Sequence, residues 1–188
     1  MSCQPIQSYL MEQRVDYIAR YEPSVKAFVD ETFDSDRVLD AIVQSDERLP
    51  LKGLLLGVKD IINVDQFPTR CGSVLPARLF NGPQASCATR LFKAGAVMVG
   101  KTVTAEFAVS DPGPTRNPRN LNHTPGGSSS GSAAAVAAGF CDIALGTQTS
   151  GSVIRPAGYC GTFGYKPSFG RVALDGVLPY SKSMDHIG

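Results

Sequence analysis

The sequence predicts an α/β fold, and three observations carry that prediction. Apolar residues make up 43% of the 188-residue chain and charged residues 19%, enough to close a core and too apolar for a disordered polymer. Short Val- and Ile-rich runs alternate with segments whose apolar residues recur at helical spacing, the order that layers helices on a sheet. Glycine and proline, 19 and 13 residues, fall mostly between these runs, where turns need them.

Each element follows from its own pattern. Residues 5–20 place Ile6, Tyr9, Leu10, Val15, Ile18 and Ala19 near one helical face, and Pro23 follows Tyr21-Glu22 as a stop. Residues 36–46 do the same with Val38, Leu39, Ile42 and Val43. The run 53–64, GLLLGVKDIINV, is short and β-branched, which predicts a buried strand and an adjoining turn. A helix over 86–94 ends at Gly95, and 96–100, AVMVG, reads as a second buried strand. Residues 110–127 form a polar loop with four prolines, the kind of long connection that often carries chemistry. GGSSSG then opens into an alanine-rich helix stopped by Gly139, CDIALG is a strand, and TQTSGS is a tight turn. From 153 to 172 glycine and proline cut the chain into short pieces.

Composition excludes several functions. A net charge of +1 offers no field to steer a polyanion, so no direct nucleic-acid partner is expected. No apolar run approaches the roughly 18 residues of a membrane span, and MSCQPIQSYLMEQR lacks a basic-then-apolar leader pattern; the expectation is a soluble, cytoplasmic protein. Five cysteines (Cys3, Cys71, Cys87, Cys141, Cys160) make no C-x-x-C pair, and the two histidines lie 63 positions apart. Neither a disulfide framework nor a metal site is expected, and no cofactor is called for. Cys141 and Cys160, in apolar surroundings, read as small buried thiols.

Three motifs compete for the chemistry. Gly95–Thr102, GAVMVGKT, satisfies G-x-x-x-x-G-K-[ST], yet a phosphate loop must curl after a strand, whereas Ala-Val-Met-Val favours extension after a helix. A strand and turn fit those residues better than a nucleotide site built on Lys101. Gly127-Ser-Ser-Ser-Gly131 matches a nucleophile elbow centred on Ser129, but that elbow needs an apolar strand feeding it, and NPRNLNHTPGG precedes it.

The third constellation joins Lys59, the serines at 128–132 and Ser152. Leucine, valine and isoleucine around Lys59 would desolvate an ammonium and lower its pKa, freeing a neutral amine as a base. Ser152 needs such an acceptor within reach, directly or through a second hydroxyl. Thr149-Ser150-Gly151-Ser152 is a turn able to aim consecutive N–H groups at one point. The alternative reading has Lys59 reaching to solvent and the serines capping the alanine-rich helix; spacing alone leaves both open.

At these residues the chain resembles the amidase signature family. TPGGSSSGSAAAV (124–136) looks like its signature, and GTQTSGSVIRPA (146–157), followed by Cys160-Gly161 and Lys166-Pro167-Ser168, is similar to its second block. Gly57-Val58-Lys59-Asp60, Pro68-Thr69, Gly72-Ser73, Ala94–Val97, Gly100–Thr102 and Glu106–Ala108 follow the family's order. The resemblance implies a mixed twisted β-sheet covered by helices, a helical segment over about 5–46 and a catalytic core over about 53–188, together the N-terminal part of one domain. It implies a Ser-(cis)Ser-Lys triad: Ser152 the acylated nucleophile, Ser128 the relay entered by a cis peptide, Lys59 the base. The family's spacing of 24 positions between the two serines selects Ser128. Thr149, Ser150, Gly151 and Ser152 would supply the oxyanion N–H groups, and Arg155 either anchors a substrate carboxylate or pairs with an Asp. A small amide would be the substrate, and the protein partner would be a second copy in a homodimer or a separate partner subunit.

Two features depart from that pattern. Ser150-Gly151 stands where the family commonly has Gly-Gly, and the chain ends at SMDHIG (183–188) inside what resembles another family block. The expectation is a truncated product or fragment lacking the half that completes the sheet and much of the pocket, or a subunit that works only with a partner.

Overall fold

The computed structural model describes residues 4–188, with side chains from residue 9 onward; Cys3 and the Ile6 side chain lie outside the described set. Helix α1 (Gln4–Val25) and helix α2 (Ser35–Gln44) lead into strand β1 (Leu55–Lys59), helix α3 (Ser86–Lys93) and strand β2 (Val97–Thr102). Helix α4 (Ser130–Ala137), strands β3 (Ile143–Leu145) and β4 (Thr147–Gln148), helix α5 (Ile154–Cys160) and strand β5 (His186–Ile187) complete it. The sheet is β2-β1-β3, parallel throughout, and β4 pairs antiparallel with β5. Every residue of β1 and β2 is buried, as expected where helices cover both faces of parallel strands.

Two apolar clusters flank this sheet. One joins Val15 and Ile18 of α1, Val38 and Ile42 of α2, and Ala134 and Ala135 of α4 to Leu55, Val97 and Val99. The other packs Leu56, Val58 and Met98 against Ile62, Cys87, Ala88 and Ile187. Tyr9, Leu10 and Val43 are exposed, and so is Ala19, so the buried stripes of α1 and α2 are narrower than the apolar pattern suggested. Helix α1 also passes Pro23 to end at Val25. Asp34 caps α2 by accepting the Arg37 N–H at 2.7 Å.

The ends of α3, α4 and α5 follow the glycine rule. After α3, Gly95 has φ +101°, its N–H donates to Phe92, and Ala96 donates to Leu91, the paired bonds of a Schellman stop. Gly131 has a different reason: a Cβ there would meet the Ala27 carbonyl at 2.2 Å and the Val103 nitrogen at 2.4 Å. Only glycine lets the first turn of α4 touch the main chain beyond β2, which brings the preceding serines against the ends of β1 and β2. Helix α5, which the sequence pattern broke into pieces, is continuous. Pro156 falls in its first turn, where a missing N–H costs little, and Gly161 in the left-handed region ends it.

Candidate active site

Lys59 closes β1 and is wholly buried. Its Nζ donates to Ser128 Oγ at 2.8 Å, Thr147 Oγ1 at 2.8 Å and the Thr147 carbonyl at 3.4 Å. Burial pushes the amine from 10.5 down to about 7, and the Asp185 carboxylate opposes that fall from a distance. The solvent-reaching reading of Lys59 is thereby excluded: none of its surface is accessible.

Ser128 is equally buried and is entered through a cis Gly127–Ser128 peptide bond. Its carbonyl accepts the Ala105 N–H at 3.0 Å, fixing the loop to the segment after β2. The neighbouring hydroxyls are committed elsewhere. Ser129 Oγ donates to the Thr147 carbonyl and accepts its N–H, each at 3.2 Å. Ser130 donates to the Val103 carbonyl, and Ser132 pairs with Thr102 at 2.7 Å and the Leu145 carbonyl at 3.0 Å. No side-chain cap bond is made at the start of α4, so the helix-capping reading of the serines fails as well.

Ser152 lies half-buried in the turn before α5. The Ser129 N–H donates to its carbonyl at 3.1 Å, joining the two serine segments through main chain; the hydrogen bonds among the described residues include none between the Ser128 and Ser152 hydroxyls. Around Ser152 the turn is braced by side chains. Gln148 Oε1 accepts the N–H groups of Val153 at 2.8 Å and Ile154 at 2.9 Å, and its Nε2 donates to the Ser150 carbonyl at 3.0 Å. Thr149 Oγ1 donates to Asp185 at 2.5 Å. The N–H groups of Ser150, Gly151 and Ser152 donate to no acceptor among the described residues.

Arg155 does not pair with an Asp. Its Nε donates to the Gly127 carbonyl at 2.8 Å, and the side chain borders a cavity of about 330 Å³ with Gly126, Gly127, Thr124 and Tyr159. The phosphate-loop residues run into buried β2, with Lys101 Nζ 3.1 Å from Asp60 and donating to Thr69 at 2.8 Å. Burial drives both members of that pair toward neutrality, and each partner's charge opposes it. The segment feeding Ser129 contains no strand. Among the described residues no cluster of three or more His, Cys, Asp or Glu could hold a metal, and no helix is long and apolar enough to cross a membrane. Cys71, Cys87, Cys141 and Cys160 are free and buried.

Sequence reasoning misses three residues of this site, Thr147, Gln148 and Asp185. Thr147 and Gln148 fall inside the TQTSGS turn, where only their pairing with β5 shows them as strand. A hydroxyl residue shortly before the braced Ser152 turn was the available signal.

Fold and site together define an α/β protein with a lysine–serine centre built on the end of a parallel strand. The amidase family model matches residues 9–188, and the chain belongs to that family. It is 43% identical to a subunit of glutamyl-tRNA(Gln) amidotransferase from Synechococcus sp. (strain RCC307), across 94% of its own length and 39% of that protein's. The crystal structure of the corresponding glutamyl-tRNA(Gln) amidotransferase subunit from Thermotoga maritima superposes with TM-score 0.80 at 37% identity, covering 94% of this chain and 38% of that one. Native peptide amidase from Stenotrophomonas maltophilia gives TM-score 0.85 at 36% identity, covering 96% and 41%. The chain therefore spans about two fifths of the length of these relatives.

Proposed function

We propose that this chain carries the acylating centre of an amide hydrolase, with Lys59 as base, Ser128 as relay and Ser152 as nucleophile. The observation that carries the reading is a fully buried amine, bonded to Ser128 at 2.8 Å and lowered to about 7. A neutral amine has two N–H donors and one lone pair. Thr147 offers two acceptors, its Oγ1 and its carbonyl, which leaves the lone pair for the Ser128 proton. As Lys59 takes that proton, Ser128 takes one from Ser152, whose oxygen attacks the amide carbon. The tetrahedral oxygen falls to the uncommitted N–H groups among Thr149, Ser150, Gly151 and Ser152. Return of the proton along the same path expels ammonia or an amine, and water then releases the acyl group.

The Ser128–Ser152 bond is the step that substrate binding must close, since hydrogen bonds loose in a free site tighten in the complex. A serine-directed fluorophosphonate tests the assignment. Labelling is expected on the peptide holding Ser152, abolished by Ser152→Ala and slowed at least ~100-fold by Lys59→Ala or Ser128→Ala, given the scale of general-base contributions. Labelling at another residue, or at undiminished rate in Lys59→Ala, overturns it.

A second reading is a subunit that acts only with a protein partner. Its support is the similarity to proteins named as subunits of an amidotransferase. Robust release of ammonia from simple amides by the purified 188-residue chain removes this alternative; activity appearing only on addition of a partner protein supports it.

A further inference from the structure

We infer that Asp185 is a positioning residue of the acylation centre: its carboxylate holds Thr149, and through it the turn that carries the oxyanion N–H groups, against β5 on the side that faces Lys59. The inference rests on the reading of Ser152 as nucleophile given above. The β4–β5 ladder supplies the frame. Thr147 pairs with Ile187 and Gln148 with His186, and the same register continued one step sets Thr149 opposite Asp185. Gly146 and Gly188 exchange both main-chain bonds, at 2.8 and 3.1 Å. Alternation then makes Thr147–Ile187 and Thr149–Asp185 the pairs without main-chain bonds, whose side chains lie closest and whose N–H groups point away from the partner strand. The Thr147 N–H accordingly goes to Ser129 Oγ at 3.2 Å. The Thr149 N–H, aimed the same way, meets no acceptor among the described residues.

Side chains close the pair that the main chain leaves open. Thr149 Oγ1 donates to Asp185 Oδ1 at 2.5 Å, while Oδ2 accepts the Tyr180 N–H at 2.7 Å and the Ser181 N–H at 2.8 Å. Among the described residues three donors and no acceptor meet the carboxylate, which suits its ionised form, an acceptor at both oxygens. Residues two apart share a face of a strand, so Thr149 and Asp185 stand on the face from which Thr147 Oγ1 meets Lys59. That placement explains why the Asp185 charge favours the Lys59 ammonium. The other charged or titratable groups nearby are engaged elsewhere: Asp60 pairs with Lys101 at 3.1 Å, His186 Nδ1 bonds the Met184 carbonyl at 2.6 Å, and Lys182 is exposed.

One residue therefore has two separable effects, a tie and a charge. Asp185→Asn keeps the size but turns an amino group toward one of two donor-lined sides, so either the 180–181 turn or Thr149 loses its acceptor, and the negative charge is gone. Thr149→Val breaks the same contact and leaves the charge in place.

The test follows fluorophosphonate labelling of Ser152 from about pH 5 to 9 in the unmodified 188-residue chain, Asp185→Asn, Thr149→Val and the double variant, with folding checked by circular dichroism. Each single variant should lower the alkaline plateau at least about fivefold, through misplaced oxyanion donors. The double variant should be no slower than the slower single one, because both break one contact. Only the variants lacking Asp185 should move the acid limb, to lower pH by about half a unit, less than the roughly 1–3 units of a directly paired charge. The sign follows from the chemistry: removing a negative charge disfavours the ammonium, so Lys59 becomes a neutral base at lower pH. An unchanged plateau in folded Asp185→Asn, losses that multiply in the double variant, or an acid limb that does not move overturns the inference. If Asp185→Asn does not fold, labelling of folded Thr149→Val at the unmodified rate overturns it equally. Failure of the unmodified chain to label at Ser152 removes the underlying reading of the site, and the inference with it.

Discussion

Replacing Lys59 by Met should change how stability depends on pH, and the size of the change follows from the burial of the amine. In the unfolded chain a lysine titrates near 10.5; in the fold burial takes Lys59 to about 7. A lowered lysine pKa means that the unfolded state binds more protons between those values, so stability rises with pH across that window. Below pH 7 the full penalty for charging the buried amine is present; above 10.5 neither state carries the charge. The gap corresponds to roughly 5 kcal/mol at about 1.4 kcal/mol per pH unit. Lys59→Met keeps the volume and removes the titration, leaving the Thr147 and Ser128 hydroxyls short of a partner at a pH-independent cost of about 1–3 kcal/mol. The assay is urea unfolding of both chains from about pH 6 to 10.5. The difference in unfolding free energy should favour the variant most at the acid end and shrink by several kcal/mol toward the alkaline end. A difference that stays constant across the range refutes the claim that burial controls the ionisation of Lys59.

Two further outcomes follow from neighbouring contacts. Thr147→Val removes an acceptor at 2.8 Å from Lys59, which disfavours the ammonium more than the amine. The acid limb of the Ser152 labelling profile should move to lower pH by about one unit, from hydrogen bonds to charged groups worth ~1.5–3 kcal/mol, and Thr147→Ser should restore it. Lys101→Met strands the buried Asp60 carboxylate and should lower stability by about 3–5 kcal/mol, read from the shift of the urea midpoint, while nucleotide has no effect on either chain's melting.

The residues legible in the sequence were those whose role is set by local chemistry. Leucine, isoleucine and valine neighbours on both sides of Lys59 announced its burial, and Gly95 and Gly139 marked helix ends because a positive φ favours glycine there. The same local reading separated GAVMVGKT from a phosphate loop, since β-branched residues extend where a cradle must curl. What escaped depends on partners distant in the chain. Thr147 and Gln148 look like turn residues until β5 pairs with them, and the Lys101–Asp60 pair exists only because parallel β1 and β2 place those ends together. Helix α5 was hidden because Pro156 and Gly158 signal breaks, although a proline in a first turn breaks nothing. On α1 and α2 the apolar pattern was wider than the contact: Tyr9, Leu10 and Val43 match the period, yet they stay exposed because the neighbouring helices and sheet do not reach them.

The ionisation of Lys59 in the folded chain is open to direct measurement by NMR. With nitrogen-15 lysine, the Nζ resonance of residue 59 is identified by its disappearance in Lys59→Met and then followed from about pH 5 to 11. A midpoint near 7 is the value the buried, Ser128-bonded amine should show, and a midpoint near the ordinary 10.5 would contradict a neutral base at that position.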